Sequence, residues 1–207
     1  MNKNKLFFVI SGFGILIYMI TKNKSSFEKL IDKNEILFNL INRKKGNLLI
    51  VIGGINYANN KFMYDQIPDK IKDECFIVIA PYNINYNFLQ LEINDFIAKN
   101  KILINKIALI GFSAGGHIVQ KNYNKNLFFV GLIDPSVNDS YLNNDINNNM
   151  FMLYNHNNWS GYPNIKKNLP LLNNKINNFG GESLEILESH SKIPNLFFKK
   201  YTNKLIK

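Results

Sequence analysis

The sequence predicts an α/β fold, with a mostly parallel sheet and helices on both of its faces. From Gly46 onward, short apolar runs alternate with helix-compatible stretches, and this alternation is typical of parallel sheets. The runs are apolar along their whole length, as strands covered on both faces are. The chain has 207 residues, 46% of them hydrophobic, which is enough for one domain with a substantial core.

The first 24 residues differ from the rest. Leu6–Ile20 is uncharged and almost wholly apolar, and Lys22 and Lys24 follow it. As a helix, this run would be about 22 Å long, and snorkelling lysines would extend it toward the ~30 Å of a bilayer core. We expect residues 1–24 to form an N-terminal hydrophobic helix that anchors the protein in a membrane through residues 6–20. A cleaved signal segment, which would give a secreted protein, and a buried core helix are the alternatives. The lysines on both sides leave the orientation open.

Residues 25–207 are predicted to form the α/β domain, without internal repeats or a second domain. Ser25–Lys45 has apolar residues at helical spacing and is expected to be an amphipathic connecting helix. Helices are expected over 61–72 with an interruption at Pro68, 88–99, from the Ser113 turn to about 123, 164–179 with a break near Pro170, and 195–207. Strands are expected at 47–52, 75–80, 107–110, 127–133, 150–154 and 183–187.

The charge of the chain does not indicate a nucleic-acid partner. The net charge is +10 and the isoelectric point is near 9.5, but the lysines are scattered among asparagines, without a basic stripe or an RNA-binding motif. We interpret this composition as drift in an AT-rich genome. A basic protein that binds membrane surfaces or nucleic acid is the weaker reading. The single cysteine, Cys75, cannot form an internal disulfide and is expected to be buried.

A strand, a sharp turn and a helix start are predicted at Lys106–Gln120. Gly111-Phe112-Ser113-Ala114-Gly115 matches the pattern G-x-S-x-G. Such a turn requires glycines because there is no room for Cβ atoms beside the serine. It would expose Ser113 Oγ and place the N–H group of Ala114 at a helix N-terminus, where an oxyanion can be stabilised.

Four predicted strands are followed by residues suited to acyl chemistry, and such strand ends share one edge of a parallel sheet. Ser113, Asp134 and His190 each follow a strand, and Gly53-Gly54-Ile55 follows the first core strand. A serine hydroxyl needs an imidazole to accept its proton, and the imidazole needs a carboxylate to fix its tautomer. Of the other histidines, His117 is expected to pack beneath the site, and His156 to line the pocket or be exposed. No metal is expected, because no His/Cys/Asp/Glu cluster has ligand spacing.

The chain from about Gly46 to its C-terminus resembles the α/β-hydrolase fold superfamily. GFSAGGH at Gly111–His117 resembles the turn of its esterases and lipases, and LEILESHSKIPNLF at Leu184–Phe197 resembles their last strand, histidine loop and final helix. The resemblance implies a minimal α/β-hydrolase fold and a serine hydrolase acting on carboxylic esters, thioesters or amides without a cofactor. Ser113 would be the nucleophile, His190 the base and Asp134 the acid. The N–H groups of Ala114, Ile55 and Gly54 would form the oxyanion hole.

Two features depart from that pattern. The oxyanion loop reads Ile52-Gly53-Gly54-Ile55, where such esterases often have His-Gly-Gly-Gly. The loop after the strand at 150–154, which usually carries the acid, has no carboxylate. Asp134 follows the preceding strand, a position that some members use. The alternatives left open are Asp139, Asp145, and Asn157 or Asn158 as an uncharged orienter.

The segment Pro135–Asn149 is short and polar, so no large cap is expected over the site. An open site near a membrane anchor favours a lipid, an acylated protein or another bulky acyl ester as substrate. We therefore expect a membrane-anchored esterase or lipase. The alternative is a catalytically inactive hydrolase-fold protein that binds or scaffolds at a membrane. The sequence does not separate hydrolysis from acyl transfer, and it does not fix the oligomeric state.

Overall fold

The structure is a computed structural model that describes residues 5–11, 14–20, 36–40, 44–55, 60–143, 146 and 148–207. The strands are β1 (Lys5–Ser11), β2 (Gly14–Ile20), β3 (Ile36–Leu40), β4 (Lys45–Ile52), β5 (Phe76–Ala80), β6 (Leu103–Phe112), β7 (Phe129–Ile133), β8 (Met150–Tyr154) and β9 (Glu182–Glu185). The α-helices are α1 (Asn60–Gln66), α2 (Asp69–Glu74), α3 (Tyr86–Asn100), α4 (Gly115–Asn122), α5 (Pro163–Asn178) and α6 (Ile193–Ile206).

The described strands form one sheet in the order β2-β1-β3-β5-β4-β6-β7-β8-β9. The pairs from β5 to β9 are all parallel, whereas β3, β1 and β2 are antiparallel additions beside β5. The register aligns the carboxyl ends of the central strands, because Ile52 of β4 pairs with Gly111 of β6, and Phe112 pairs with Ile133 of β7. The predicted mostly parallel sheet is thereby confirmed.

Both faces of the sheet are covered by helices. Along β4, Leu48 and Ile50 join the core on the side of α3, α4 and α5, whereas Leu49 and Val51 join the core on the side of α1, α2 and α6. Consecutive side chains of a strand point to opposite faces. This is why the central strands are apolar at every position rather than at alternate positions.

The N-terminal hydrophobic segment differs from the prediction. Where a helix was expected over Leu6–Ile20, the structure has β1 and β2, which pair from Lys5↔Ile20 to Ser11↔Gly14. The segment is rich in aromatic and β-branched residues, which favour strands, and an apolar run of this length does not by itself distinguish strand from helix. Among the residues that the structure describes, no helix is long and apolar enough to cross a membrane.

Two further helix predictions were wrong in part. Ile36–Leu40, at the end of the expected connecting helix, is strand β3, with Leu37 and Phe38 buried; residues 21–35 lie outside the described residues. Helix α5 continues through Pro170, although proline removes one helical hydrogen bond. Burial of Leu169 and Leu172 on either side of the proline stabilises the continuous helix. The interruption at Pro68 was confirmed, because α1 and α2 are separate there.

Candidate active site

Ser113 lies in a sharp turn between β6 and α4. Its φ of 53° is left-handed, which is unusual for a residue other than glycine. Its N–H donates to the carbonyl of Ile133 at 3.0 Å, which ties the turn to the end of β7. A Cβ atom on Gly115 would lie 2.4 Å from the carbonyl oxygen of Ile52, and one on Gly111 would lie 2.5 Å from that of Gly115. These contacts explain why the turn contains glycines, as G-x-S-x-G predicted.

The loop after β4 lies against the serine. A Cβ atom on Gly54 would be 2.7 Å from Ser113 Cβ and 3.3 Å from Ser113 Oγ, so only glycine permits this approach. The N–H of Gly53 donates to the carbonyl of Ala80 at 2.9 Å and is therefore engaged within the sheet. Ala114 is the N-cap of α4, and Ile55 is exposed. The main chain of Gly54 thus lies directly against Ser113, and Ala114 follows Ser113 at the start of α4.

Asp134 follows β7 directly and is fully buried, with a left-handed φ of 40°. Its Oδ1 accepts hydrogen bonds from the N–H of Asn155 at 3.0 Å and from Trp159 Nε1 at 3.3 Å. Its Oδ2 accepts one from Asn158 Nδ2 at 2.8 Å and lies 2.6 Å from His190 Nδ1. A buried carboxylate requires such partners, because an unpaired buried charge is costly.

His190 lies in the loop between β9 and α6, and two aromatic side chains fix its ring. The imidazole packs against Phe112, with ring centroids 4.6 Å apart, and Trp159 meets it edge-on at 5.5 Å. Because Phe112 directly precedes Ser113, the imidazole lies beside the serine turn. The structure therefore has Ser113, Asp134 and His190 at one edge of the sheet, after β6, β7 and β9.

Asp139 and Asn158, two of the alternative partners for His190, bind other residues. Asp139 lies in a short 3-10 helix and accepts a hydrogen bond from Asn168 Nδ2 at 2.8 Å. Asp145 lies outside the described residues. Asn158 binds Asp134 rather than the imidazole, and Asn157 is exposed. Sequence reasoning missed Asn155 and Trp159 and named Asn158 only as an alternative to the acid, not as its partner. The available signal was the position of this loop at the same sheet edge.

The two remaining histidines have partners of their own. His117 Nε2 lies 2.7 Å from Ser136 Oγ, and burial lowers the pKa of His117, which favours its neutral form. The His156 ring pairs with the carboxylate of Glu185, at the end of β9. In the described part of the chain, no group of three or more His, Cys, Asp or Glu residues could hold a metal ion.

Comparison with solved structures identifies the fold. Est1E from Butyrivibrio proteoclasticus superposes with a TM-score of 0.56 at 10% identity, over 86% of this chain and 97% of that one. A predicted CIB-like hydrolase from Thermoplasma acidophilum gives 0.56 at 12% identity, over 86% and 96%. The esterase domain of a Rhodothermus marinus protein gives 0.56 at 9% identity, over 82% and 92%.

The chain has the α/β-hydrolase fold. No protein-family model and no curated protein matches the sequence.

Proposed function

We propose that this protein is a serine hydrolase that cleaves carboxylic esters through Ser113, His190 and Asp134. The observation that carries the proposal is the 2.6 Å hydrogen bond between His190 Nδ1 and Asp134 Oδ2, next to a serine held in a left-handed turn. A carboxylate on Nδ1 leaves Nε2 unprotonated, which is the tautomer that a general base needs.

The reaction follows from these groups. Ser113 Oγ attacks the acyl carbon while its proton passes to His190 Nε2, and the carbonyl oxygen becomes an oxyanion. We assign the N–H groups of Ala114, Ile55 and Gly54 to stabilise this charge; the Gly54 main chain lies against the serine, and Ala114 follows it at a helix N-terminus. His190 then protonates the leaving alkoxide. Water attacks the acyl-enzyme and gives its proton to His190. The bond from Ser113 Oγ to the acyl carbon then breaks, His190 returns the proton to Oγ, and the acid leaves; an acceptor alcohol or amine in place of water would give acyl transfer.

The inactive-scaffold alternative rested on the missing carboxylate after the strand at 150–154. That argument loses its weight, because the asparagines of this loop donate hydrogen bonds to Asp134 instead of replacing it. A protein that only binds has no need of a buried carboxylate aligned with an imidazole.

A bulky or long-chain acyl ester is the substrate class we favour. In the described part of Pro135–Asn149, the regular structure is the 3-10 helix Asp139–Asn143, and no cap is built from these residues. Three apolar side chains are exposed in loops that follow the carboxyl ends of β4, β8 and β9: Ile55, Tyr162 and Leu187. Exposed apolar groups beside an open site are suited to bind an acyl chain.

The test is active-site labelling of the full chain with a fluorophosphonate probe, with Ser113→Ala, His190→Ala and Asp134→Asn as variants. We expect labelling to be lost in Ser113→Ala and greatly slowed in the other two. Absence of labelling in folded wild-type protein would refute the proposal and favour the binding protein. A panel of esters would then define the substrate.

A further inference from the structure

The loop between β8 and α5 encloses the Asp134 carboxylate. The N–H of Asn155 and the indole N–H of Trp159 donate to Oδ1, at 3.0 and 3.3 Å. The side-chain amide of Asn158 donates to Oδ2, at 2.8 Å, on the oxygen that His190 also binds. Every one of these groups is a donor, so the loop provides an environment that suits a carboxylate and would disfavour a neutral amide in its place.

Asn158 connects the acid to the histidine loop. Its Nδ2 also donates to the carbonyl of Glu188 at 3.1 Å, and Asn155 Nδ2 donates to the same carbonyl at 2.9 Å. Glu188 precedes His190 by two residues. The two asparagine amides therefore fix the main chain that carries the imidazole as well as the carboxylate that the imidazole binds.

Trp159 contacts both members of the pair. Its indole Nε1 donates to Asp134, and its ring meets the His190 ring edge-on, with centroids 5.5 Å apart and planes at 83°. The indole is itself held by an edge-on contact with Tyr162 at 5.7 Å. Trp159 is buried, so it also limits the access of water to the carboxylate.

We infer that Asn158 and Trp159 are positioning residues, which hold Asp134 and His190 in the geometry that the reaction requires. The inference rests on the proposed function, because the pair must act on Ser113 for its alignment to matter. Asp134 has a left-handed backbone. An aspartate side chain can adopt several rotamers, so contacts from other residues are needed to fix its carboxylate in one orientation. The donors of the neighbouring loop supply that constraint, and misalignment of a reacting group by a fraction of an ångström slows the chemical step.

The experiment compares fluorophosphonate labelling and ester hydrolysis by the full chain in wild type, Asn158→Ala and Trp159→Phe. Trp159→Phe removes the indole N–H but keeps an aromatic ring beside His190. The matched control is Asn157→Ala, because Asn157 is the same residue type in the same loop and is exposed. We expect kcat to fall about 10- to 100-fold in Asn158→Ala and less in Trp159→Phe, with KM changed little and Asn157→Ala like wild type.

Two readouts separate positioning from a structural role. Asn158→Gln, which keeps an amide donor, should recover part of the lost kcat. The downfield proton resonance of the His190 Nδ1–H bond should shift or broaden in Asn158→Ala and Trp159→Phe, in samples that are fully folded at the temperature of the measurement, and stay unchanged in Asn157→Ala. Wild-type kcat in both Asn158→Ala and Trp159→Phe would overturn the inference while leaving the proposed function intact. Labelling that persists in Ser113→Ala would instead refute the proposed function.

Discussion

The imidazole of His117 and the hydroxyl of Ser136 are joined by a hydrogen bond, with Nε2 and Oγ 2.7 Å apart. The N–H of Ser136 donates to the carbonyl of Ser113 at 2.9 Å, and Gln120 Nε2 donates to the carbonyl of Ser136 at 3.1 Å. These bonds tie helix α4 to the loop that begins with Asp134. The serine turn and the acid are therefore held together by a polar network beneath them.

His117 should contribute to the pH dependence of stability. Burial lowers its pKa below the usual 6.5, so the unfolded chain binds the proton more readily than the folded protein. The stabilisation from keeping His117 neutral is complete above pH 6.5 and is lost as the pH falls below that value. We expect the free energy of unfolding, measured with urea from pH 7.5 to 5, to fall more steeply in wild type than in His117→Gln. Because His156 and His190 are present in both proteins, parallel profiles would contradict this prediction.

Gly115→Ala should destabilise the protein strongly. The added Cβ would lie 2.4 Å from the Ile52 carbonyl oxygen and 2.5 Å from that of Gly53, and both belong to the main chain, which cannot rotate away. We expect a loss of about 1–3 kcal/mol or more in the free energy of unfolding. Gly161→Ala is the control, because nothing lies within 4 Å of its added Cβ, and it should change stability by less than about 0.5 kcal/mol. Similar melting temperatures for the two variants would refute the prediction.

Under the proposed mechanism, Asp134→Asn should reduce kcat by about 10⁴-fold, as loss of the triad carboxylate does in a serine protease. The amide would present an N–H₂ group to donors that now bind a carboxylate, and it would no longer fix the His190 tautomer. Steady-state ester hydrolysis measures the effect. Asp139→Asn serves as the control, because Asp139 binds Asn168 and lies outside the pair. A comparable loss of kcat in Asp139→Asn would show that the acid has been assigned wrongly.

Leu187→Ser should weaken hydrolysis of long-chain esters selectively. Leu187 is 83% exposed and precedes His190 by three residues, so an acyl chain can contact it. Loss of that contact is expected to lower kcat/KM for long-chain esters about 3- to 10-fold and to leave short-chain esters unaffected. Leu103→Ser is the matched control. Leu103 is 65% exposed, but it begins β6 and therefore lies at the amino ends of the parallel strands, away from the site. Strict preference of wild type for a small polar ester would count against the acyl-chain proposal.

The positions of Ser113, Asp134 and His190 were predictable because they depend on local patterns. Ser113 and Asp134 each follow an apolar run that forms a parallel strand, and His190 follows the short parallel strand β9. The carboxyl ends of such strands share an edge. The glycines around Ser113 were equally informative, since their spacing predicts a turn without room for Cβ atoms. These signals depend on adjacent residues and do not require knowledge of tertiary contacts.

The partners of Asp134 were not predictable in the same way. Asn155, Asn158 and Trp159 reach the carboxylate from more than twenty residues along the chain, and no spacing rule links the two loops. The helix prediction for the N-terminal segment was not confirmed, for a different reason. Its apolar residues are compatible with both a helix and a strand. The pairing of β1 with β3 joins residues far apart in the chain, and the periodicity of the sequence carries no information about it.

The left-handed backbones of Ser113 and Asp134 lower the stability of the fold at residues that the proposed reaction requires. Each is a non-glycine residue in a conformation that costs about 1–3 kcal/mol, and the two lie at the ends of adjacent hydrogen-bonded strands. Glycine adopts this backbone without that cost, so a chain selected for stability alone would gain from glycine at Ser113, whereas at Asp134 glycine would leave Asn155, Asn158 and Trp159 without their acceptor. Ser113 is therefore the site at which an experiment that evolves the protein for heat resistance would most readily discard the proposed chemistry.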